Sequence, residues 1–374
     1  MLRWPLVGVV LTMVAFISWQ CQNMDKLNML TVAPMEGQKS LTRNVVKEGA
    51  TVPTQTFGSG CPQAAIQNRG VYANSSSSQS AWDNVLLMTG SNTGYYDMLQ
   101  NWEYLAAVHG LKWAVAAFDD DLFQKLGPNR SIPTLAEVAV KEEAAYRQAG
   151  FSTLTCNKFR MALQVMEQCE LDVVFADSDA VFLKDPFAHD LGHLILSGDY
   201  EYIYQINVSP KESNTPGTFI AMGEGSRHPE RKFMKEGNTG FHFLSHKSSL
   251  LKKVILETLN RCSQPDNKID DQTLFWSSLK KRPLRQCHQS RPGSPFVYNS
   301  KSLDANVTES ENIVSMCYLD PYYYPTGKKP FQEQRQKDMV VFHANYVRGK
   351  QAKIAKLKND TWAGYGWDDS RVTI

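Results

Sequence analysis

The sequence predicts an α/β protein, an open sheet flanked by helices and folded as one domain. Three observations predict it. Short apolar runs at Asn84–Gly90, Trp113–Phe118 and Leu171–Ala176 end abruptly in polar or turn residues, as buried parallel strands do. Stretches of helical period separate them, which gives a β-α-β-α alternation. No internal repeat and no second break in composition divides residues 81–374, so this part is one domain rather than two.

Composition sets the outer bounds. With 42% hydrophobic residues in 374, the chain can bury a sizeable core and is not disordered throughout. A net charge of +2, from 40 Lys and Arg against 38 Asp and Glu, makes no one-signed field, so nucleic acid is not an expected partner.

The amino terminus stands apart from the fold. Residues 1–4 form a short tail carrying Arg3, and the uncharged run Pro5–Trp19 follows it, 15 residues long. A membrane span normally takes about 17 to 25 apolar residues, so the run suits a signal-peptide core or a short anchor. The bulky Ser18-Trp19-Gln20-Cys21 offers no small-x-small cleavage site, and the charge bias leaves the amino terminus cytosolic. A signal anchor over 5–21 is therefore preferred to a cleaved signal, and either puts the remainder in the secretory lumen. Residues 22–80 lack sustained periodicity and carry Pro34, Pro53, Pro62 and the tract Ser75–Ser78, which predicts a flexible stem.

Two further counts suit a lumenal chain. Asn-x-Ser/Thr acceptors stand at Asn74, Asn129, Asn207, Asn306 and Asn359. Besides Cys21 there are Cys61, Cys156, Cys169, Cys262, Cys287 and Cys317, without the paired spacing of a zinc site, so three disulfides are expected. If Asn157–Gln168 is a helix, Cys156 and Cys169 lie about 20 Å apart at its ends and cannot bridge.

The elements then follow in order. A helix is expected over Tyr95–His109, others over Leu135–Gln148 and Lys158–Cys169, an amphipathic one over Ser248–Arg261 and a short one over Asp271–Leu279. Tyr200–Asn207, Gly240–Leu244 and Val340–His343 are the later strands. Ligands of open α/β sheets sit at the carboxyl ends of strands, which singles out Thr89–Asn92, Asp119–Asp121 and Asp177–Asp179.

The strongest local signal is the segment from Leu171 to Phe187, LDVVFADSDAVFLKDPF. Alternate residues of an extended segment project to one side, so Asp177 and Asp179 can converge on one hard cation. A lone Asp-x-Asp is more often a turn. Here the two carboxylates adjoin VVFA and VFL, where charge must be compensated, and a divalent ion does that.

This segment resembles the Asp-x-Asp motif of nucleotide-diphospho-sugar transferases and is similar to that of glycosyltransferase family 77. Further strings match in order: Asn92 with Tyr95 and Asn101-Trp102, then Asn238-Thr239-Gly240-Phe241, Asp271-Gln272, and the closing segment Val341–Lys350 with Lys353 and Trp362 after it. The resemblance spans Asn84 to Trp362. It implies a GT-A-type, Rossmann-like mixed sheet flanked by helices, a single catalytic domain behind a membrane anchor and stem, as in a Golgi type II enzyme. It implies a UDP-sugar donor, a glycan or glycoprotein acceptor, retention of configuration, and Mn2+ or Mg2+. Residue by residue, it makes Asp177, Asp179 and His343 the metal group, with Asp177 also on the ribose. Gly349 with Lys350 or Lys353 would approach the diphosphate, and Thr89 and Asn92 the nucleoside. Asp271 and Gln272 would face the sugar or acceptor, with Gln205 near the anomeric carbon.

Other readings of the same residues stay open. His343 can be a structural histidine satisfied by a backbone carbonyl. Lys350, Lys353, Lys356 and Lys358 can be the solvated face of a helix. Asp119–Asp121 can cap a helix or serve the donor site. Tyr322–Tyr324 beside Pro325 is read as packing rather than a sugar platform. The alternative function is a glycan-binding protein without turnover. A metal-dependent hydrolase lacks any HxH, HExxH or GxSxG string.

Overall fold

A strand buried on both faces needs apolar or small side chains pointing both ways, and Val85–Ser91 (β1) has them, with Gly90 alone not fully enclosed. The computed structural model describes residues 60–73, 81–134, 151–207, 236–264, 267, 269–289, 298–299, 313–327 and 331–372. After β1 come Ala114–Ala117 (β2), Ser131–Pro133 (β3), Asp172–Asp177 (β4), Ala180–Phe182 (β5), Tyr202–Ile206 (β6) and Gly237–Leu244 (β7). Leu284–Gln286 (β8), His288–Gln289 (β9), Tyr298–Asn299 (β10), Val314–Leu319 (β11) and Val341–His343 (β12) complete the strands. Eight of them form the main sheet in the order β3-β2-β1-β4-β7-β6-β11-β8. Within it β7 pairs antiparallel with both neighbours and every other pairing is parallel. The sheet is mixed, as expected. β5 and β12 pair apart from it, antiparallel, with His343 opposite Ala180.

The helices are Gln63–Asn68 (α1), Tyr96–Val108 (α2), Asp120–Leu126 (α3), Phe151–Gln168 (α4), Asp190–Ser197 (α5), Ser249–Cys262 (α6), Asp271–Leu279 (α7), Glu333–Asp338 (α8) and Lys350–Asn359 (α9). Side chains that accept orphan amide protons set several starts: Ser248 from Leu251 at 3.1 Å, Asp270 from Thr273 at 2.8 Å and Asp119 from Leu122 at 2.8 Å. The cap reading of Asp119 is therefore what the structure shows. α4 starts well before the periodicity suggested, and carries Phe159 onto Phe275 of α7 at a ring distance of 4.7 Å and onto His242 of β7 at 5.5 Å. β11 and α5 are elements the sequence pattern did not single out.

Residues 60–73, which the sequence assigned to the stem, belong to this packed body. Ala64, Ala65 and Val71 are fully buried, the Tyr72 hydroxyl donates to Asp185 at 2.8 Å, and a disulfide joins Cys61 to Cys169. The six-residue α1 is too short to show a period. Cys156–Cys262 and Cys287–Cys317 are the other disulfides, so Cys156 and Cys169 are not partners. Among the described residues no helix is long and apolar enough to cross a membrane. The anchor at 5–21, most of the stem, the helix expected at Leu135–Gln148, and Asn74 and Asn306 lie outside the described residues.

Two predictions concern stability. Cys61→Ser frees the segment ahead of β1 and is expected to cost about 2–5 kcal/mol in chemical denaturation, the usual cost of losing a native disulfide; a variant as stable as its parent would make that segment peripheral. Asp190 at the start of α5 is pushed up to about 6 by burial and then by Asp320, against a smaller opposing effect of His193. Its folded state prefers the proton, so the destabilisation is absent below about pH 4 and complete once pH has risen past 6. Asp190→Asn is therefore expected to raise the melting temperature at pH 7.5, by on the order of 2 kcal/mol of stability, and to leave it nearly unchanged at pH 4.

Candidate active site

After β1 the chain builds β2 and β3 on one side, then returns to place β4 on the other, which makes the β1–β4 boundary the switch point of the sheet. At its carboxyl edge Gly90 of β1 pairs with Asp177 of β4. Gly90 must lack a side chain, because a Cβ there would come within 2.3 Å of the Phe118 ring. Asn92 ends the strand and accepts from the Tyr95 amide at 3.2 Å, capping a turn of 3-10 helix, Thr93–Tyr95.

Asp177 and Asp179 stand on either side of Ser178 in the turn from β4 to β5. The β5–β12 pairing brings His343 beside them, fixed by a bond from the Ala344 amide to the Asp179 carbonyl at 2.9 Å. Ligand atoms of Asp177, Asp179 and His343 all lie within 4.8 Å of one another. His343 Nε2 is 3.3 Å from Asp179 Oδ1. Behind the ring, Nδ1 meets Gln205 Oε1 at 3.2 Å. The Gln205 amide nitrogen donates to the carbonyls of Tyr324 and Pro325 at 3.1 and 3.0 Å, which makes Oε1 the acceptor and puts the imidazole proton on Nδ1. Nε2 then offers its lone pair to the space that the carboxylate oxygens share. Two carboxylates and an imidazole nitrogen so oriented fit a hard or borderline divalent cation.

Two lysines compensate the acids. Lys158 of α4 is buried, and its Nζ lies 3.2 Å from Asp177 Oδ1, 3.1 Å from Asp271 Oδ2 and 3.1 Å from the Thr239 carbonyl. Burial would lower its pKa, but Asp177 and Asp271 outweigh that and hold it well above the ordinary lysine value. Lys353 of α9 pairs with Asp179 Oδ2 at 2.5 Å. Burial alone would raise the Asp179 carboxyl; Lys353 and then His343 more than offset it and keep it far below the usual carboxylate range. Asp271 goes the other way. Burial pushes it up, against Lys158 and a 2.7 Å bond from the Thr239 hydroxyl.

A cavity of about 440 Å³ opens over these groups, with Asp177, Asn238, Thr239, Asp271, Gln272, His343, Gly349 and Lys353 in its wall. A smaller adjoining lobe of about 100 Å³ is walled by Asn92, Tyr95, Phe118, Phe151 and Ser178. Not every expected residue reaches them. Thr89 is buried within β1, and Asp119 accepts from the Thr93 amide and hydroxyl at 2.6 and 2.7 Å. Lys350 turns to the Gly94 carbonyl at 3.0 Å and to Asp97 at 3.2 Å. Gln205 is fully buried behind His343. Tyr324 stacks on Phe241 in the core, and the Tyr322 hydroxyl donates to Asp338 at 2.7 Å, which is packing. Of the lysines after Gly349, Lys356 pairs with Asp360 and Lys358 with Asp369, as a helix face does. Lys158 was missed by sequence reasoning. Its signal was that Lys158 and Arg160 interrupt a stretch that is buried on every side of the helix, from Cys156 to Leu163.

Gly240 of β7 makes the arrangement possible: a Cβ there would lie 2.2 Å from His343 Cε1 and 2.6 Å from Asp177 Oδ2. Gly240→Ala is expected to displace both side chains and to cost about 1–3 kcal/mol in chemical denaturation, whereas an alanine variant as stable as the parent would show that the two side chains yield without cost.

Comparison with known proteins shows the family through the sequence. No curated protein matches the sequence. Among solved structures, the chain is similar to a glycosyltransferase involved in glycosylation of the major capsid of PBCV-1, at 12% identity and TM-score 0.34, over 70% of this chain and 94% of that one. It is similar to the galactosyltransferase LgtC in complex with donor and acceptor sugar analogs, at 13% identity and TM-score 0.32, over 69% and 86%. It is also similar to the glycosyltransferase GlyE of Streptococcus pneumoniae TIGR4, at 10% identity and TM-score 0.36, over 76% and 60%. The family model for nucleotide-diphospho-sugar transferases matches residues 111–357, a stretch that contains both carboxylates of the Asp-x-Asp turn, Asp271, His343 and Lys353. The chain is a glycosyltransferase and belongs to the nucleotide-diphospho-sugar transferase family.

Proposed function

We propose that this glycosyltransferase moves a sugar from a UDP-sugar to a glycan or glycoprotein acceptor, with Mn2+ or Mg2+ and with retention of configuration. The observation that carries the reading is the convergence of Asp177, Asp179 and His343 at the sheet's switch point, with Lys353 at hand. Asp177, Asp179 and His343 would hold the ion, which supplies positive charge to the diphosphate as the glycosidic bond breaks. Lys353 and the amide end of α9 at Gly349 stand where they can bind the same diphosphate, the lysine exchanging one anion for another. The lobe beside Asn92 has the rings of Tyr95, Phe118 and Phe151 in its wall, which suits the uracil ring. Asp271 and Gln272, in the wall of the larger cavity, would meet sugar hydroxyls, with Lys158 and the Thr239 hydroxyl holding Asp271 in place.

Thr89, Asp119, Lys350 and Gln205 act in this reading as supports: Asp119 fixes the 93–95 turn, Lys350 ties α9 to the start of α2, and Gln205 sets the His343 tautomer. Retention rests on the family 77 resemblance. The setting we propose is the Golgi lumen, with the chain a single-pass type II protein anchored at 5–21; three disulfides and the uncharged amino-terminal run support it.

The test is titration of UDP onto the purified enzyme in Mn2+ or EDTA, followed by release of UDP from a panel of UDP-sugars with water as acceptor. Binding and release that need Mn2+, with turnover at least about 100-fold lower in Asp179→Ala, are the expected results. UDP binding indifferent to Mn2+ and to Asp179 would overturn the metal-bridged donor site.

A further inference from the structure

Asn207 heads an Asn-Val-Ser acceptor sequence, yet it lies in the wall of the active cavity. We infer that Asn207 contacts the transferred sugar as a specificity-determining residue, and that this acceptor sequence stays unglycosylated in the active enzyme. The inference rests on the glycosyl-transfer reading above and adds a residue that no part of the family resemblance assigns.

The geometry runs along a short amide chain. Asn238 Oδ1 accepts from the Gly240 amide at 2.7 Å, which fixes the flip of that side chain. Its Nδ2 therefore donates, and the acceptor is Asn207 Oδ1 at 3.3 Å. With Oδ1 committed to Asn238, the Nδ2 of Asn207 is the group left to donate to whatever fills the cavity. Alternate residues of a strand project to one side, so Asn207 follows Gln205, which holds His343, onto the face that bears the metal group. An irregularity between Tyr204 and Gln205 in the β6–β7 pairing re-registers this end, setting Gln205 opposite Asn238. The transferred sugar must lie next to the diphosphate, hence near the ion, and Asn207 is tied through Asn238 and Gly240 to the residues that define that place.

An N-linked glycan would be attached at this same Nδ2. It would take one of that nitrogen's two protons, put a sugar where the substrate must bind, and occupy a cavity of only about 440 Å³. Asn129 and Asn359 differ, since both are exposed and neither borders the cavity.

Two measurements test this. Glycopeptide mass spectrometry of the full chain expressed in a glycosylating eukaryotic host is expected to find Asn207 bare in the active fraction; glycan there in active enzyme overturns the inference. Asn207→Asp keeps the size and loses the donor. In it and in Asn207→Ala, kcat/KM for hydrolysis of the preferred UDP-sugar is expected to fall at least 10-fold, with UDP affinity in Mn2+ within twofold of the parent, whereas Ser209→Ala, which removes the acceptor sequence alone, leaves hydrolysis unchanged. Parental kcat/KM and parental discrimination among UDP-sugars in both Asn207 variants would overturn it. Failure of UDP to bind the parent enzyme would instead count against the glycosyl-transfer reading itself.

Discussion

Three carboxylates held close together beneath a protein surface repel one another, and the site depends on how that repulsion is met. Two unit charges 5 Å apart cost about 3 kcal/mol at an effective dielectric near 20, and burial adds to it. Lys158 answers from below, spanning Asp177 and Asp271, and Lys353 answers from the side at Asp179. The lysines differ in what can replace them. Lys158 is enclosed and also bonded to the Thr239 carbonyl, so it is a fixture. Lys353 sits at the mouth on the first turn of a helix, where a ligand's own charges can compete for it.

The sheet supplies the geometry for this electrostatics. Because β1 and β4 are neighbours whose following connections leave in opposite directions, their ends leave a crevice that backbone does not fill. Gly90 and Gly240 keep it open from two sides, each against an aromatic or imidazole ring. β7, antiparallel between β4 and β6, is what lets Asn238 and Thr239 enter the site from the start of a strand rather than its end.

Much of this was legible in the sequence, and what was not has physical causes. The runs that became β1, β2 and β4 were visible because strands buried on both faces are continuously apolar, and the helix at Asp271–Leu279 was found to the residue. The Asp-x-Asp turn was visible because acids so placed need compensation. α1 was hidden by its brevity, and its place in the core is set by a disulfide to a residue 108 positions away. The direction of a lysine is not a property of its string: Lys350 and Lys353, three residues apart on one helix, end on different acids, Asp97 and Asp179. Gln205 was singled out as facing substrate, whereas its carboxamide is consumed by a histidine and two carbonyls, a tertiary fact no local pattern encodes.

The chain completes its sheet early and its site late. All eight strands of the main sheet precede residue 320, while His343 and Lys353 come from β12 and α9 after it. During synthesis, then, a scaffold bearing Asp177, Asp179, Asp271 and Lys158 can assemble before His343 or Lys353 has left the ribosome. A chain halted between β11 and β12 lacks both His343 and Lys353, so the three-ligand cluster cannot form until the segment beyond the sheet has docked.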